Sequence, residues 1–441
     1  MSPRPRDPRP AALLSVCLLM AIAQAQYLEK VIRMSGRPLD VLWNQAGNKV
    51  YVSTWAGLVT VIDGTTNEVL ANIPVGDFPR PLCWNSVDNK VYVTNSDPDW
   101  LYIIDAVGDT LTNRVPMSGN PDRMAFNSTM DKVYIAGATD YTIRVYDGAT
   151  DTVTASIRLG GSSIPSALLW HPVSNRVFCA TYGSYPDRDT VFVIDCLTDA
   201  IVERLPLVAD LRAMCRNPVN DFVYVAGQDT VCALDPAGDS VKARIPFGGY
   251  PFDVCAVPYA NKVYVSSDYP RLYVIDCYTH TVVDTLAIDV AFLVCDTLKA
   301  KVYATGWPGR VLDARTNTLL TSIPGNGSTV DRICWNSTNS RVYWAAFHDT
   351  VIYVIRDPSA AVAEPADGLA APGPRIATMV RGRLFLGAGV TEAKLLDIAG
   401  RSLMTLHTGE TDVNCLAPGV YFVTAGRGTT ARTTKVLVVR N

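Results

Sequence analysis

The chain has 441 residues, enough for two or three domains at about 100–200 residues each. Apolar residues make up 48% and charged residues 18%, which excludes a disordered or collagen-like chain and supplies apolar side chains for a large core. The formal net charge is −3, so we expect no nucleic-acid partner. Four histidines in the whole chain argue against a multi-histidine metal centre.

The N-terminal segment has the features of a secretory signal peptide. Three arginines precede an apolar run over residues 11–23, and Ala23-Gln24-Ala25 fits the small-x-small cleavage pattern. We therefore predict a signal peptide over residues 1–25. The apolar run is too short to span a bilayer, and no later segment is apolar enough, so the mature chain is expected to carry no transmembrane segment.

A strand-like motif, Lys-Val-Tyr-Val in its first copy, recurs eight times at intervals of 39 to 46 residues. The copies lie at residues 49–52, 90–93, 132–135, 176–179, 222–225, 262–265, 301–304 and 341–344. This period is typical of the blades of a β-propeller. Each unit reads as four strands, because runs of Val, Ile, Tyr and Thr alternate with turn residues.

The turn after the third strand of each unit has its own chemistry. It begins with an aspartate that can accept backbone N–H bonds and ends with Asn or Asp, which tolerate a left-handed backbone. A turn explains these side chains better than a ring of metal ligands does. The leading aspartates are Asp63, Asp105, Asp147, Asp195, Asp235, Asp276 and Asp313.

The two ends of the repeat array complement each other. The eighth unit stops near Asp357 without a fourth strand, and residues 29–34 form an unassigned strand before the first unit. We predict that residues 28–34 pair with residues 351–356 and close the ring, which removes an exposed sheet edge. The expected fold is therefore all-β, an eight-bladed β-propeller over residues 27–358, with seven blades as the alternative.

The segment after the repeats changes in composition. Residues 359–374 are rich in Ala, Pro and Gly and read as a linker. Strand patterns then resume at residues 383–386, 393–398, 419–425 and 434–439, separated by Gly-containing turns. These residues predict a small β-sandwich over residues 375–441.

The repeated Lys-Val-Tyr-Val, Val-Ile-Asp-x-x-Thr-Asn and Val-Gly-x-x-Pro segments resemble the YVTN family of β-propeller repeats. The resemblance covers residues 27–357 and is specific for fold but weak for activity. Relatives in this broad group are often extracellular or surface-layer proteins. Many such propellers have seven blades, and this sequence departs from them by showing eight repeats.

The tail carries a second resemblance, in residues 395–401, 416–423 and 434–440. Together these segments resemble the C-terminal sorting domain of type IX secretion substrates, which has an immunoglobulin-like fold. The resemblance implies that the secretion machinery is a partner of residues 375–441. It also implies a location outside the cell or on the outer surface of a Gram-negative bacterium. The alternative is an accessory β-sandwich without a sorting role.

No catalytic constellation can be assembled from the sequence. It contains no Gly-x-Ser-x-Gly elbow, no Walker loop and no His-Glu-x-x-His motif, so we assign no catalytic residue, metal or cofactor. His171 occupies a first-strand column that holds Asn in most other units, which indicates a polar structural role. Trp43, Trp84, Trp170 and Trp335 share one column and are expected to pack between blades.

The cysteines also recur in phase with the repeat. Cys83, Cys215, Cys255 and Cys334 share one column, and Cys295 fits it if one residue is deleted. Because Leu or Ala fills this column in other units, we expect buried free thiols rather than a disulfide framework or a thiol ring that binds metal.

Ligand contacts are expected on one rim of the propeller. The second-to-third and the fourth-to-first loops lie on the same face, and they carry aromatic and charged residues suited to a glycan or protein partner. The predicted function is a secreted binding, adhesion or scaffold module. The alternative is a propeller enzyme, lactonase-like or quinone-dependent, and an ordinary decorated loop surface also remains open. The candidate rim residues are Trp55, Arg80, Trp100, Arg123, Tyr141, Tyr182, Tyr185, Arg212, Tyr269, Trp307, Arg332 and His348.

Overall fold

The structure is a computed structural model, and the regular secondary structure of its described parts is β-strand apart from one 3-10 helix. The chain divides into two compact units, residues 1–362 and 363–441. The expected signal peptide, the linker and Tyr185 lie outside the described residues. Those residues are 26–161, 163–183, 189–296, 299–325 and 331–357, and in the tail 379–381, 383–386, 392–396, 401–407, 409–412, 419–425 and 432–439.

The described residues of the first unit form eight four-stranded antiparallel sheets. The chain enters through β1 (Tyr27–Arg33). Sheet 1 contains β2 (Pro38–Asn44), β3 (Lys49–Thr54), β4 (Leu58–Asp63) and β5 (Val69–Pro74). Sheet 2 contains β6 (Asp77–Asn85), β7 (Lys90–Asp97), β8 (Asp99–Asp105) and β9 (Thr110–Pro116). Sheet 3 contains β10 (Pro121–Asn127), β11 (Lys132–Gly137), β12 (Thr142–Asp147) and β13 (Thr152–Arg158).

The next three sheets repeat the same order. Sheet 4 contains β14 (Ile164–His171), β15 (Arg176–Tyr182), β16 (Thr190–Asp195) and β17 (Ala200–Pro206). Sheet 5 contains β18 (Ala213–Arg216), β19 (Val223–Gly227), β20 (Thr230–Leu234) and β21 (Val241–Pro246). Sheet 6 contains β22 (Pro251–Val257), the one-turn 3-10 helix Pro258–Ala260, β23 (Lys262–Ser267), β24 (Arg271–Asp276) and β25 (Thr281–Leu286).

The last two sheets complete the ring. Sheet 7 contains β26 (Leu293–Asp296), β27 (Lys301–Ala304), β28 (Gly309–Asp313) and β29 (Thr318–Ile323), and sheet 8 contains β30 (Arg332–Asn336), β31 (Arg341–Ala346), β32 (Val351–Arg356) and β1. The first strand of each sheet contacts the first strand of the next, and β30 contacts β2. The first strands therefore surround a central channel, and the fold is a β-propeller, as the repeat predicts.

The N-terminal strand closes the ring. β1 pairs antiparallel with β32 from Tyr27 opposite Arg356 to Arg33 opposite Val351, as predicted from the sequence. Arg341 of β31 donates to both carboxylate oxygens of Glu29, at 2.7 and 2.5 Å. The fourth strand of sheet 8 thus comes from the opposite end of the array, and the ends hold each other by backbone and side-chain bonds.

The core lies between neighbouring sheets. The central residues of the second strands are fully buried, as with Val50, Tyr51 and Val52 at 0% exposure. Tyr51 packs in one cluster with Val91 and Ile104 of the next sheet. The predicted inter-sheet role of the tryptophan column is confirmed, because its members pack against these clusters: Trp43, Trp84, Trp170 and Trp335.

Side-chain amides link several neighbouring sheets at the end of the first strands. Asn44 donates through Nδ2 to Oδ1 of Asn89 in the next sheet, at 2.8 Å. Asn127 bonds Asn175 and Asn217 bonds Asn261 in the same way. His171 takes this place in sheet 4 and its Nε2 lies 2.8 Å from the backbone oxygen of Asp221. The structural role predicted for His171 is confirmed.

The repeated Lys-x-Tyr pattern has a direct structural cause. In sheets 1, 3 and 6 the lysine and the tyrosine of the second strand both bond the residue that ends the third-to-fourth turn of the next sheet, and we call this arrangement the latch. Lys49 and Tyr51 donate to Asp109 at 2.7 and 2.8 Å. That turn residue has a left-handed backbone, with φ of 54°. The aspartates that begin the turns also have a structural role, as predicted. Asp63, for example, accepts the backbone N–H groups of Thr65 and Thr66.

The prediction for Cys295 is wrong by one position. Cys83, Cys215, Cys255 and Cys334 each lie opposite the second-strand tyrosine, but Cys295 lies opposite Val302, in the tryptophan column. The connection from β26 to β27 has the same length as that from β2 to β3, so no residue is deleted. The nine described cysteines are free.

The described strands of the second unit form two sheets. A five-stranded sheet has the order β33, β39, β38, β35, β36, and a two-stranded sheet pairs β34 with β37. The sequence predicts four of these seven strands, namely β34, β35, β38 and β39. The strands are β33 (Met379–Arg381), β34 (Arg383–Leu386), β35 (Glu392–Leu396), β36 (Ser402–His407), β37 (Gly409–Asp412), β38 (Gly419–Ala425) and β39 (Arg432–Val439).

Candidate ligand-binding site

A cavity of about 620 Å³ opens at the end of the channel where the first strands begin. Each first strand starts opposite the end of its second strand, as with Pro38 opposite Thr54, so the fourth-to-first and second-to-third loops share this end. The lining residues come from sheets 2 to 8. The cavity is therefore built by the ring as a whole and not by one sheet.

Arg332 lies half-buried in the wall supplied by sheet 8. Its guanidinium stacks 4.1 Å from the ring centroid of Phe292, and Nη1 donates to the Asp331 backbone oxygen at 2.8 Å. Burial lowers the pKa of Arg332 from its ordinary value, while Asp40 and Asp253 oppose that shift. Among the described residues, no carboxylate forms an ion pair with this guanidinium.

Arg123 occupies the wall formed by sheets 3 and 4. Its Nε donates to the Ser166 backbone oxygen at 2.6 Å, and Nη1 bonds the carboxylate and the carbonyl of Asp122, both at 2.6 Å. These bonds fix the guanidinium in place across the two sheets. Arg212 is exposed at the same mouth and lies 5.7 Å from the centroid of the Tyr250 ring.

Two aspartates clasp neighbouring first strands beside the channel. Asp253 accepts from the Val254 and Leu293 backbone N–H groups, both at 2.9 Å, so it joins sheets 6 and 7. Asp40 joins sheets 1 and 2 in the same way, through the N–H groups of Val41 and Leu82. Burial raises the pKa of Asp253 to about 6, against these hydrogen bonds. Both carboxylates are thus occupied by the backbone.

The cavity also contains aromatic rings and one polar group without a partner. Phe252, Phe292 and Tyr182 line it, and they provide apolar surface beside the arginines. Ser166 is 5% exposed and lines the same cavity, and its Oγ has no hydrogen-bond partner in the protein. A buried polar atom without a partner marks a place where a water or a ligand group fits.

A smaller cavity of about 180 Å³ shares Asp122 with the main one. Arg80 and Phe78 line it. Phe78 has φ of 51°, an uncommon backbone for a bulky residue, and its ring packs 5.4 Å from that of Trp55. The two cavities together place four of the predicted arginines at the channel mouth.

Of the twelve predicted rim residues, the structure brings together Arg123, Tyr182, Arg212 and Arg332 in the main cavity, with Arg80 in the smaller one. The others lie elsewhere on the described surface: Trp55, Trp100, Tyr141, Tyr269, Trp307 and His348. Trp307 and Tyr269 are 75% and 61% exposed, so they project into solvent from their loops. His348 is exposed and packs edge-on against Phe347.

Sequence reasoning missed Phe252, Phe292 and Ser166 as cavity residues. All three lie near the start of a first strand, within one residue of the column that holds Asp40, Arg123 and Arg332. Because the first strand is the innermost strand of each sheet, this column could have predicted the cavity residues from the sequence. Its members in sheets 3 to 8 line the main cavity.

Within the described residues, no group of three or more His, Cys, Asp or Glu side chains could hold a metal ion. No helix among them is long and apolar enough to cross a membrane.

Comparisons with known proteins concern the fold. No protein-family model and no curated protein matches the chain. Among solved structures, the chain is similar to Kuenenia stuttgartiensis hydrazine synthase, with a TM-score of 0.55 and 17% sequence identity. The similarity covers 73% of this chain and 96% of that chain. At this identity the comparison supports the β-propeller fold and nothing finer.

Proposed function

We propose that this protein is a secreted binding module that holds its ligand in the main cavity at the channel mouth. The observation that carries the proposal is the convergence of Arg123, Arg212 and Arg332 with aromatic rings in a cavity of about 620 Å³. Ligand sites typically have volumes of about 300–1,000 Å³, with apolar walls and a few polar groups. Arg332 and Arg212 make few bonds that serve the fold, so their side chains are available to a ligand.

The location follows from the two ends of the chain. Residues 1–25 have the pattern of a signal peptide, and residues 375–441 resemble a type IX sorting domain. We infer export to the outside or outer surface of a Gram-negative bacterium, with the secretion machinery as the partner of the tail. A surface-displayed propeller with a ligand cavity acts as an adhesion or scaffold module. The YVTN resemblance of residues 27–357 supports this location.

The binding proposal is tested with the mature chain on an array of saccharides and peptides. Arg212→Trp places a large ring at the mouth from an exposed position, so it should block the cavity without changing the fold. Arg33→Trp, on the exposed face of β1, is the matched control. We expect ligands of the unmodified protein to be lost by Arg212→Trp and kept by Arg33→Trp. Binding that survives Arg212→Trp, or no binding at all, would contradict the proposal.

The export proposal is tested by truncation after Ser359 in the native host. The ring closes through β1 and β32, which precede this point, so the truncated propeller should keep its thermal unfolding temperature. Surface delivery should be lost and the protein should remain in the periplasm. Normal delivery of the truncated chain would show that the tail has no sorting role. A large loss of thermal stability would show that the propeller needs residues of the tail.

A further inference from the structure

We propose that the ligand of the main cavity is an acidic sugar, a ring that carries one carboxylate and several hydroxyl groups. The inference rests on the proposed function and adds the chemical class of the ligand. Arg332 would hold the carboxylate, and the opposite wall around Ser166 would hold the ring hydroxyls.

The first step is the supply of hydrogen-bond donors. Arg332 donates one N–H group to the Asp331 carbonyl, and its side chain lines the cavity. Asp40 and Asp253 are the carboxylates that interact electrostatically with Arg332, and each already accepts two backbone N–H bonds. The guanidinium therefore has charge and donors to offer, and a planar carboxylate matches its fork.

The second step concerns the charge of the ligand. Asp40 and Asp253 attract the Arg332 charge, and Arg123 and Arg80 repel it. These three guanidiniums and two carboxylates leave one net positive charge, which one negative charge on the ligand balances. The surroundings of Arg332 thus favour a monoanion over a dianion.

The third step is the opposite wall. In a ring of eight sheets, sheet 4 faces sheet 8, so Ser166 lies across the channel from Arg332. The buried Ser166 hydroxyl has no partner in the protein and can donate to or accept from a ligand hydroxyl. Asp122 and Asp210 on this side of the lining supply carboxylate oxygens, and Arg123 and Arg212 supply N–H donors. Acceptors, donors and a hydroxyl together suit a polyhydroxylated group.

The fourth step is the apolar surface between the two walls. Phe252, Phe292 and Tyr182 line the cavity and can pack against the C–H faces of a sugar ring. A carboxylate at one end, hydroxyl groups at the other and a C–H face between them describe a uronic acid. The cavity volume accommodates one or two such rings.

The test compares three probes that share one ring: D-glucuronate, D-glucose and D-glucose 6-phosphate. Their dissociation constants for the mature chain are measured by titration calorimetry at low and high salt. We expect D-glucuronate to bind at least tenfold more tightly than the other two, and more weakly at high salt. Arg332→Gln should weaken D-glucuronate binding at least tenfold, Ser166→Ala should weaken it several-fold, and Arg33→Gln should leave it unchanged.

Each contrary result has a distinct meaning. Equal binding of D-glucose and D-glucuronate overturns the acidic-sugar inference and leaves the cavity as a binding site. Tighter binding of D-glucose 6-phosphate overturns the preference for a carboxylate. Unchanged D-glucuronate binding in Arg332→Gln, or no binding of any of the three, also overturns the inference, while the array with Arg212→Trp judges the proposed function separately. Near-ultraviolet circular dichroism of each variant confirms that the ring is folded.

Discussion

Lys132 of sheet 3 donates through Nζ to Oδ2 of Asp199 in sheet 4, at a distance of 2.7 Å. Tyr134, two residues along the same strand, donates to the other oxygen of the same carboxylate at 2.7 Å. Both charged side chains are largely buried, at 13% and 14% exposure. One aspartate at the end of a turn thus binds two side chains of the preceding sheet, and sheets 1 and 6 make the same contact with Asp109 and Asn317.

Lys132→Met should therefore lower the free energy of unfolding by about 2 kcal/mol, because it leaves a largely buried carboxylate without its charged partner. Urea unfolding followed by fluorescence measures the change. Lys30→Met is the matched control, since the Lys30–Glu68 pair is more exposed, at 34% and 70%, and should contribute less than about 1 kcal/mol. Equal effects of the two substitutions would show that the latch carries no special stability.

In sheets 4 and 5 the second-strand residues of the latch are replaced, and the facing turn of the next sheet differs as well. Phe222 replaces the lysine in sheet 5, and its ring stacks on His280, which replaces the turn Asp or Asn of sheet 6, with centroids 5.3 Å apart. In sheet 4, Phe178 replaces the tyrosine, and Gly238 lies against it so closely that an added Cβ would fall 2.8 Å from the ring. Changes on one side of the contact are matched on the other.

The pair Phe222 and His280 should be replaceable by the lysine–aspartate pair found in other sheets. Each single change, Phe222→Lys or His280→Asp, should destabilise the protein, because it buries a charge without its partner. The double variant should regain a lysine–aspartate latch, with a coupling free energy of at least about 1 kcal/mol. A double-mutant cycle in urea measures it. Additive effects of the two changes would mean that the two positions do not form a latch.

His171 should make the stability of the protein depend on pH. Burial lowers the pKa of His171 below its ordinary value of 6.5, and Arg216 acts in the same direction, while Asp221 opposes the shift. Its Nδ1 accepts the Ser174 N–H at 3.1 Å, a bond that protonation would break. The unfolded imidazole gains its proton near pH 6.5 and the folded one only at lower pH, so stability is full above pH 6.5 and falls below it.

His171→Asn should remove that part of the acid sensitivity, because asparagine fills this column in most other sheets. Thermal unfolding temperatures at pH 8 and pH 5.5 provide the measurement. We expect a smaller difference between the two pH values in His171→Asn than in the unmodified protein. His348→Asn, at an exposed loop position, is the control and should keep the original difference. An unchanged difference in His171→Asn would contradict the linkage.

Deletion of residues 27–33 should open the ring. It removes the strand that covers β32 and the Glu29–Arg341 ion pair, so an unpaired edge remains. We expect a lower unfolding temperature and concentration-dependent association through that edge, which size-exclusion chromatography with light scattering detects. Glu29→Gln removes the ion pair alone and should leave the protein monodisperse. A monodisperse deletion variant of unchanged stability would show that β1 is dispensable.

The cysteine thiols should react slowly in the folded protein. Burial raises the pKa of Cys83 to about 12 and that of Cys277 to about 11, which suppresses the reactive thiolate. Cys295 differs, because a hydrogen bond from Cys255 lowers its pKa. For the mature chain truncated after Ser359, whose nine cysteines are all described, titration with a chromogenic disulfide at pH 8 should show one faster phase that Cys295→Ser removes, with the rest released by denaturant. Intact mass showing three or more disulfides would contradict this picture.

The fold could be predicted from the sequence because each sheet uses the same residue types at the same positions of its strands and turns. The period, the buried second strand, the turn beginning at Asp63 and the closing strand at Tyr27 all follow from short-range chemistry repeated along the chain. Cys295 shows the limit of this reasoning. Alignment by residue type placed it in the cysteine column, whereas its register is set by the length of the turn before β27, and the backbone pairing puts it opposite Val302.

The sequence predicted the arginines of the site but not its phenylalanines. The phase of the repeat states which loops share an end of the ring, and that is why Arg123, Arg212 and Arg332 could be grouped. The position of a residue within the repeat does not predict how far its side chain lies from the channel axis. Trp307 and Tyr269 occupy the expected loops and yet project into solvent, while Phe252 reaches the cavity from a first strand and Phe292 from the position just before one.

The pairing of Tyr27 with Arg356 also sets an order of events in the cell. The strand that completes the ring is the first to leave the ribosome, and its partner emerges more than three hundred residues later. At about 5–20 residues per second, β1 waits for tens of seconds with no sheet to join. During that interval the chain is an open array without its closing contact, so the propeller is completed only after its last sheet has been made.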